Sequence, residues 1–539
     1  MSGYRYAFSL SKEEVREATP PGTVTLIDNE LVRTVSGVHN HEEKHIHLQP
    51  EPSPDPADPL NFSKPRKYAI LAAMSLYAFV TNVSSSIFAS ALPSLITAWA
   101  TFPEHGPPTG LMSFSTLTHL IAVNVLMLGI ANIWWVPLGN TFGRRPVILF
   151  CLLMLTATSA WCGASKSYAS LLAGRTFQGM AGGAADTIAP DIVGEIFFLH
   201  ERGRALAIYT IFLTAGSLFG GLVGGYVTAS LGWRWCAYIP AILAAALFVF
   251  CFFFQPETMF DRSEAMAAVG HRGNSVLNEK TQTSQLETVT TVSSRIYQPF
   301  TFTRSLKLAT YRPGLLKRFF QPYLTLRLPG VWMVMLHYAG LLGGIVTIST
   351  MAPQLLAAPP YLWGQNVGLI NVGGLIGTVL GGIYTYLLTD WTVKRQARHE
   401  GHGYSEPESR LPTLFPALLI ATGGMWTFGF CAQNPGPKMW IGLEFGMGML
   451  SFGLMQIPSV GFTYLLRRLL PDGHLLAWHR ELLVDLFVGT WVESDGPAEA
   501  FGIFGMLMGL FALLTIPQYI FGKRTRIATA QWLPKESHH

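Results

Sequence analysis

Three groups of ionisable residues sit inside runs that are otherwise apolar. The stretch LLAGRTFQGMAGGAADTIAP at 171–190 carries Arg175, Gln178 and Asp186 among small and apolar neighbours. Arg175 and Asp186 are 11 positions apart (186 − 175), about three helical turns, so a helix places both on nearly one face. Glu444 lies about six residues into the run that follows Lys438. His337 and Tyr338 form the third group. A charge at such depth in lipid is costly unless it is paired or wet, so each position predicts a function or a dedicated partner. An acid there can exchange protons or pair with a cationic solute, and a histidine can relay protons. Each also has a structural alternative: Arg175 bonded to backbone carbonyls, Glu444 to a neighbouring helix, His337 as a satisfied helix contact. Tyr338, Trp134 and Trp135 offer aromatic surface to a cation or planar solute. Tryptophans near the end of an apolar run also serve as interface anchors.

A second set of charges gathers at run ends. PLGNTFGRRPV at 137–147 places Gly143, Arg144 and Arg145 in a short connection. Asp191 and Glu195 end the run that holds Arg175, and Arg202 and Arg204 follow. Simple anchoring of positive charge at one membrane face is the plainer reading. The preferred one is a latch, with these carboxylates and arginines pairing in one state and separating in another. GSLFGGLVGGY at 216–226 then brings Gly216, Gly220, Gly221, Gly224 and Gly225, with overlapping GxxxG steps that permit close helix crossing.

Other chemistry finds little support. No Ser-His-Asp order, metal cluster or cofactor loop stands out, so no enzyme activity and no cofactor are expected. No Walker loop is present, which argues against ATP-driven pumping. The histidines at 39, 41, 45 and 47 are set aside as a metal site because their tail reads as flexible. The five cysteines fall in or beside apolar runs and read as small apolar fillers with no disulfide framework.

The elements that must position these residues are set by hydrophobic length. Half of the 539 residues are apolar and only 13% are charged, against about 25% in soluble domains. Runs of roughly 20 apolar residues, enough to cross ~30 Å of hydrocarbon, recur along the chain. They fall at about 68–92, 113–138, 146–166, 168–192, 205–229, 235–255, 330–352, 364–389, 411–432, 438–464 and 499–521, with a weak one at 474–490. The predicted fold class is an all-α membrane protein of twelve transmembrane helices in two six-helix halves. The 53 glycines suit close packing of such helices. Lys and Arg crowd one set of loops, which places both termini in the cytoplasm. The net charge of +5 follows from that topology and needs no nucleic acid. No signal peptide is read in the polar opening; the first run would itself target the membrane.

The expected domains are a disordered cytoplasmic tail (1–66), a six-helix half (67–258), a cytoplasmic linker (259–329), a second half (330–522) and a tail (523–539). The first part of the linker reads as disordered. The stretch 302–328 is basic with scattered aromatics, which suits either a helix on the anionic leaflet or a solvated linker.

GRR after the second run, RxxQG in the fourth and the glycine series in the fifth resemble the major facilitator superfamily, in that family's order. Gly232-Trp233-Arg234-Trp235 before the sixth run and Pro256-Glu257-Thr258 after it extend the likeness. DPADPLNFS at 55–63 is similar to the opening motif of fungal drug:proton antiporter-type members. The resemblance covers roughly residues 55–525. It implies two halves rocking about a midplane site lined by the first, fourth, seventh and tenth spans. Those spans do carry unusual polar residues: Asn82, Ser85 and Ser86; Arg175, Gln178 and Asp186; His337 and Tyr338; Glu444 and Gln456. The chain departs from the pattern at Asn140 and Thr141, where the family has an acid and a base. It departs again at Gly221, where antiporters have proline. The eleventh span is atypical: 465–489 is short and polar. A translated intron, a frame error or a real degeneration would each explain it.

These observations predict a monomeric secondary transporter of a small organic solute working by alternating access, with protons and the lipid bilayer as partners. The main expectation is proton-coupled efflux of a drug-like compound or secondary metabolite, driven through Glu444 or a carboxylate partner of Arg175. Uptake of organic cations such as polyamines is the alternative, which Asp186 and Glu444 would suit. A non-transporting relic or sensor is the third. The plasma membrane is the expected location, with the vacuolar membrane second.

Overall fold

The computed structural model describes residues 2–18, 20, 24–25, 52–53, 55–99, 110–260, 311–316, 318–320, 327–399, 404–406, 408, 411–461 and 496–530. The predicted spans appear as helices: α3 (Lys64–Ser86), α4 (Phe114–Ile130) with α5 (Asn132–Phe142), α6 (Arg144–Ala164), α7 (Tyr168–Ile196), α8 (Leu199–Leu231) and α9 (Trp235–Phe254). The second half contains α10 (Pro329–Ala357), α11 (Asn371–His399), α12 (Leu411–Gln433), α13 (Met439–Leu454), and α14 (Pro497–Leu513) with α15 (Thr515–Thr529). Ahead of them lie α1 (Ser2–Ser9), α2 (Lys12–Glu17) and β1 (Val24–Thr25), which pairs antiparallel with β2 (Tyr404–Ser405). Among the described residues, nine helices are long and apolar enough to cross a membrane. Helix α7 has 29 residues but carries four charged side chains, and α13 is shorter at 16.

Local chemistry explains the helix ends. The opening motif folds into a capped turn: Asp58 accepts from Leu60 N (3.0 Å) and Ser53 N (2.9 Å), while Asn61 donates to Ser53 O (2.7 Å). Ser113 and Ser167 cap α4 and α7 by accepting from amides three residues on. Gly143 separates α5 from α6 with φ +105°, a conformation that other residues rarely adopt.

The span-five glycines divide between two faces of α8. A Cβ on Gly216, Gly220 or Gly224 would fall within 2.5 Å of Phe79 O, Ser86 Oγ and Ile87 O respectively, so this face seats α3 and the residues after it. A Cβ on Gly221 or Gly225 would instead meet Asn371 and Gln365 of the other half, 2.7 and 2.8 Å away. Tyr226 Oη donates to Asn366 across the same seam (2.9 Å). The halves therefore meet tightly at the end of the bundle opposite the one where α3 begins. The end where α3 begins and α5 stops is called the terminal face below.

Three expectations change. The tail expected to be disordered contains α1 and α2, and α1 packs on α15. Arg524 donates to Ala7 O and Phe8 O (3.2 and 3.1 Å), and the Phe8 and Phe521 rings are 5.8 Å apart. The expected C-terminal tail begins as helix, because α15 continues to Thr529. The linker, expected either on the leaflet or in solvent, touches the end of α5 through Tyr311, Arg312 and Arg318. Arg312 N donates to Thr141 O (2.8 Å), Arg318 donates to Asn140 O, and Tyr311 sits 5.8 Å from the Phe142 ring. The histidines at 39–47, the weak span at 474–490 and the atypical segment 465–489 lie outside the described residues.

Candidate functional site

Between the halves, at mid-depth, lies a cavity of about 40 Å³. Helix α3 contributes Asn82, Ser85 and Ser86, α8 contributes Ser217, and α10 contributes Ser349 and Thr350. The rest of the wall is aliphatic, from Ile121 and Val125 of α4 to Leu342 and Ile345 of α10. No charged residue lines it among the described residues. Its volume holds a few waters and is far below the ~300 Å³ of a drug-sized pocket. A solute could fit only if the halves moved apart.

Arg175 builds this wall without facing into it. The fully buried guanidinium donates from Nε to Leu120 O (3.1 Å), from Nη1 to Ser84 O (2.7 Å) and Gln178 Oε1 (2.6 Å), and from Nη2 to Ser85 O (2.7 Å). It also lies 4.8 Å over the Phe88 ring. The carbonyls of Ser84 and Ser85 are at the end of α3, where helical partners run out, so the arginine fork supplies donors that the backbone lacks. Gln178 passes the network to Ser159 (2.7 Å). Ser85 donates to Asn124 Oδ1 (2.6 Å), and Asn124 donates to Arg175 O (2.9 Å). No carboxylate among the described residues pairs with Arg175. Among the described residues the carbonyl-bonded alternative is the one observed.

The other predicted residues are placed as follows. Asn82 lines the cavity, donating to Ala78 O (2.9 Å) and accepting from Ser217 (3.0 Å). Asp186 is buried in α7 near Tyr77. His337 Nε2 meets Phe511 O at 2.7 Å, a contact between α10 and α14. Tyr338 is buried in the core of the second half. Glu444 accepts from Gly373 N (2.6 Å) in the first turn of α11, and Gln456 bonds to Thr385 (2.7 Å) and Gly381 O (3.0 Å) of the same helix. Arg175, Gln178, His337, Glu444 and Gln456 are thus each bonded to a neighbouring helix, and none lines the cavity. Of the named aromatics, Trp135 donates to Met180 O (2.7 Å), while Trp134 is exposed.

At the terminal face the predicted charges do meet. Arg144 reaches Asp191 (3.5 Å) and Glu195 (2.9 Å). Arg145 donates to Phe252 O (2.6 Å). Glu257 accepts from the amides of Arg144 and Arg145 (3.0 and 3.1 Å) and so caps α6. A carboxylate at a helix N-terminus is favoured both by the open amides and by the macrodipole. Arg202 is buried beside Gly194, whereas Arg204 leaves the cluster and lies 5.5 Å over Tyr386 of α11. Sequence reasoning missed the roles of Glu257, Asn124, Ser217, Ser349 and Thr350. Glu257 was visible inside Pro256-Glu257-Thr258; small hydroxyls and a single amide in apolar runs give no comparable signal.

A family model described as the Major Facilitator Superfamily matches residues 74–474. An uncharacterized MFS-type transporter of Schizosaccharomyces pombe is 26% identical over 95% of this chain and 93% of its own. The multidrug transporter TPO1_1 of Candida glabrata is 23% identical over 88% of this chain and 78% of its own. The efflux pump FUB11 of Gibberella moniliformis is 26% identical over 74% and 62%. Among solved structures, the proton:xylose symporter XylE of E. coli superposes with a TM-score of 0.57 at 16% identity, covering 87% of this chain and 100% of its own. The ordered motifs, the apolar helices and these likenesses agree, and this multi-pass membrane protein belongs to the Major Facilitator Superfamily.

Proposed function

We propose that the protein is a proton-coupled exporter of a weakly polar, uncharged organic compound, a drug-like molecule or secondary metabolite, working by alternating access at the plasma membrane with its terminal face in the cytoplasm. The observation that carries the reading is the lining of the central cavity, hydroxyls and one amide among aliphatic side chains with no charge. Such a wall can hydrogen-bond a neutral amphipathic solute and desolvate its apolar parts. It offers no counter-ion to a polyamine, since Asp186 and Glu444 are not among the lining residues. Similarity to fungal proteins named as efflux pumps and a multidrug transporter supports the direction. The Arg144–Asp191–Glu195 cluster is the proposed latch, closed in this state and separated when the first half tilts. Asp186 and Glu444 are the proposed proton-carrying acids.

The test is flux in proteoliposomes holding a pH gradient. A neutral amphipathic dye should be moved against its gradient by the intact protein, and spermidine should not be. Replacing Ser349 by Trp should abolish dye movement by filling the cavity. Asp186→Asn and Glu444→Gln should each be assayed for loss of the pH dependence. Spermidine accumulation without dye transport would overturn the choice of solute, and unchanged gradient-driven flux in both acid variants would overturn the proposed coupling.

A further inference from the structure

A second, larger cavity lies away from the central one. At the terminal face α8 and α11 part, and about 440 Å³ opens between them. Its deep end is shut where Ile211 and Leu218 of α8 press on glycines of α11. A Cβ on Gly382 would meet Ile211 Cδ1 at 3.1 Å, and one on Gly374 would meet Leu218 Cδ2 at 2.7 Å. No residue of α10 or α13 lines it. The wall is aliphatic, and Ile208, Val379, Ile383 and Leu387 are 41–58% exposed. Those four continue into Phe212, Ile376 and Leu380, large exposed apolar side chains on the same two helices. An apolar surface of that kind on a membrane-spanning helix faces lipid, so the cavity opens sideways into the bilayer.

Its outer rim is different. Glu201 and Arg204, three positions apart on α8, stand there with Tyr68, Phe197 and Tyr386. The Arg204 guanidinium lies 5.5 Å over the Tyr386 ring, joining the two halves, and the Tyr68 and Phe197 rings are 6.0 Å apart. Tyrosines and charges at the rim of an apolar groove mark the depth of lipid headgroups.

We propose that this groove holds one zwitterionic phospholipid of the adjoining leaflet, with an acyl chain between α8 and α11, its phosphate on Arg204 and its ammonium beside Glu201. Charge complementarity supports this occupant: the rim presents one cation and one anion a single helical turn apart, as a zwitterionic headgroup requires. Aromatic faces at the same level suit the ammonium. Length agrees as well. From Glu201 to Ile211 the helix rises about 15 Å, half of the ~30 Å hydrocarbon thickness and the depth of one acyl chain. A bound chain would wedge the terminal ends of the halves apart while the opposite ends stay closed. This assignment is independent of the transported solute.

The experiment uses the full chain in vesicles of phosphatidylcholine and phosphatidylethanolamine, doped with phosphatidylethanolamine carrying a photoactivatable acyl chain. Cross-linked peptides are mapped by mass spectrometry. Labelling should concentrate several-fold on 204–211 and 379–387 over the lipid-facing surface around Trp426 and Phe430. Ile383→Trp and, separately, Leu387→Trp should each cut groove labelling at least threefold and leave labelling of α12 around Trp426 and Phe430 unchanged. Two variants are used, each checked for a single gel-filtration peak, so that misfolding of one does not remove the test. Arg204→Gln should lower labelling by the phospholipid probe but not by a diacylglycerol with the same photoactivatable chain. Even labelling of all lipid-facing helices would overturn the proposal, as would indifference to both tryptophan variants. Displacement of the label by a transported solute would also overturn it, by assigning the groove to that solute.

Discussion

The two halves hold their terminal ends together with ion clusters of the same logic and different parts. In the first half Arg144 joins α6 to α7 through Asp191 and Glu195, and Glu257 closes the start of α6. In the second half the connection after α11 folds back onto α15. Arg526 bonds Glu408 through Nε and Nη2 (both 2.8 Å) and pairs with Glu406, which also takes Lys523 (2.7 Å). The first cluster is partly solvated on its acid side, with Asp191 and Glu195 at 17% exposure, whereas Arg526 and its two acids are buried. A cluster that water can enter can be opened at moderate cost; one sealed from water resists opening. The first arrangement suits a part that moves, and the second a fixed anchor on which α1 and β1 rest. Both clusters lie on helix ends and connections, away from the central cavity, whose lining carries no charge.

Breaking the sealed anchor should have the largest effect. Arg526→Gln strands Glu408 in a buried site and leaves Glu406 to Lys523, which should destabilise the protein by about 3–5 kcal/mol. Thermal unfolding in detergent would show this as a large fall in Tm, with faster tryptic cleavage near the N-terminus as α1 loses its seat. A fall no greater than that of an exposed-charge control would remove the distinction between the halves.

Arg175→Met comes next. Its carbonyl partners Ser84, Ser85 and Leu120 lose their donors, and stranded buried acceptors cost about 1–3 kcal/mol each, reduced by local relaxation. We expect about 3 kcal/mol lost, and only partial recovery in Arg175→Lys, because an ammonium cannot reproduce the fork. Full recovery by lysine would mean that charge alone matters there.

The smallest effect is expected at the movable cluster. Glu257→Gln keeps an acceptor but removes the charge at the start of α6, a loss of about 1 kcal/mol or less. Its diagnostic is salt. The gap to the unmodified protein should shrink between 0.05 and 0.5 M NaCl, because partly solvated charges are screened. For Arg526→Gln the gap should hold. Equal salt dependence of the two variants would contradict the contrast between open and sealed clusters.

Hydrophobic length and ordered motifs made the helices, the two halves and the family legible, because each depends on residue type along the chain. The Arg144–Asp191–Glu195 meeting was also foreseeable, since short connections force those run ends to one face. The glycine face of α8 toward α3 followed from spacing, but its second face toward α11 did not, because nothing in GSLFGGLVGGY names a partner. The surroundings of Glu444 and His337 were the least legible. A buried ionisable residue announces that it needs a partner, and the partners are Gly373 N and the Phe511 carbonyl. A backbone group carries no signature in the sequence.

By itself the amino-acid order determined that this protein crosses the bilayer repeatedly, in two halves with polar residues at mid-depth, because burying an unsatisfied backbone in lipid leaves few alternatives to helices. Only the tertiary structure decided which polar groups face the cavity and which are consumed by neighbouring helices. Asn82 of α3 opens to the cavity, whereas Arg175 of α7 is locked to the carbonyls behind it. The facing of these helices is set by close packing at Gly179 and Gly216, where a Cβ would strike the backbone oxygens of Asn124 and Phe79.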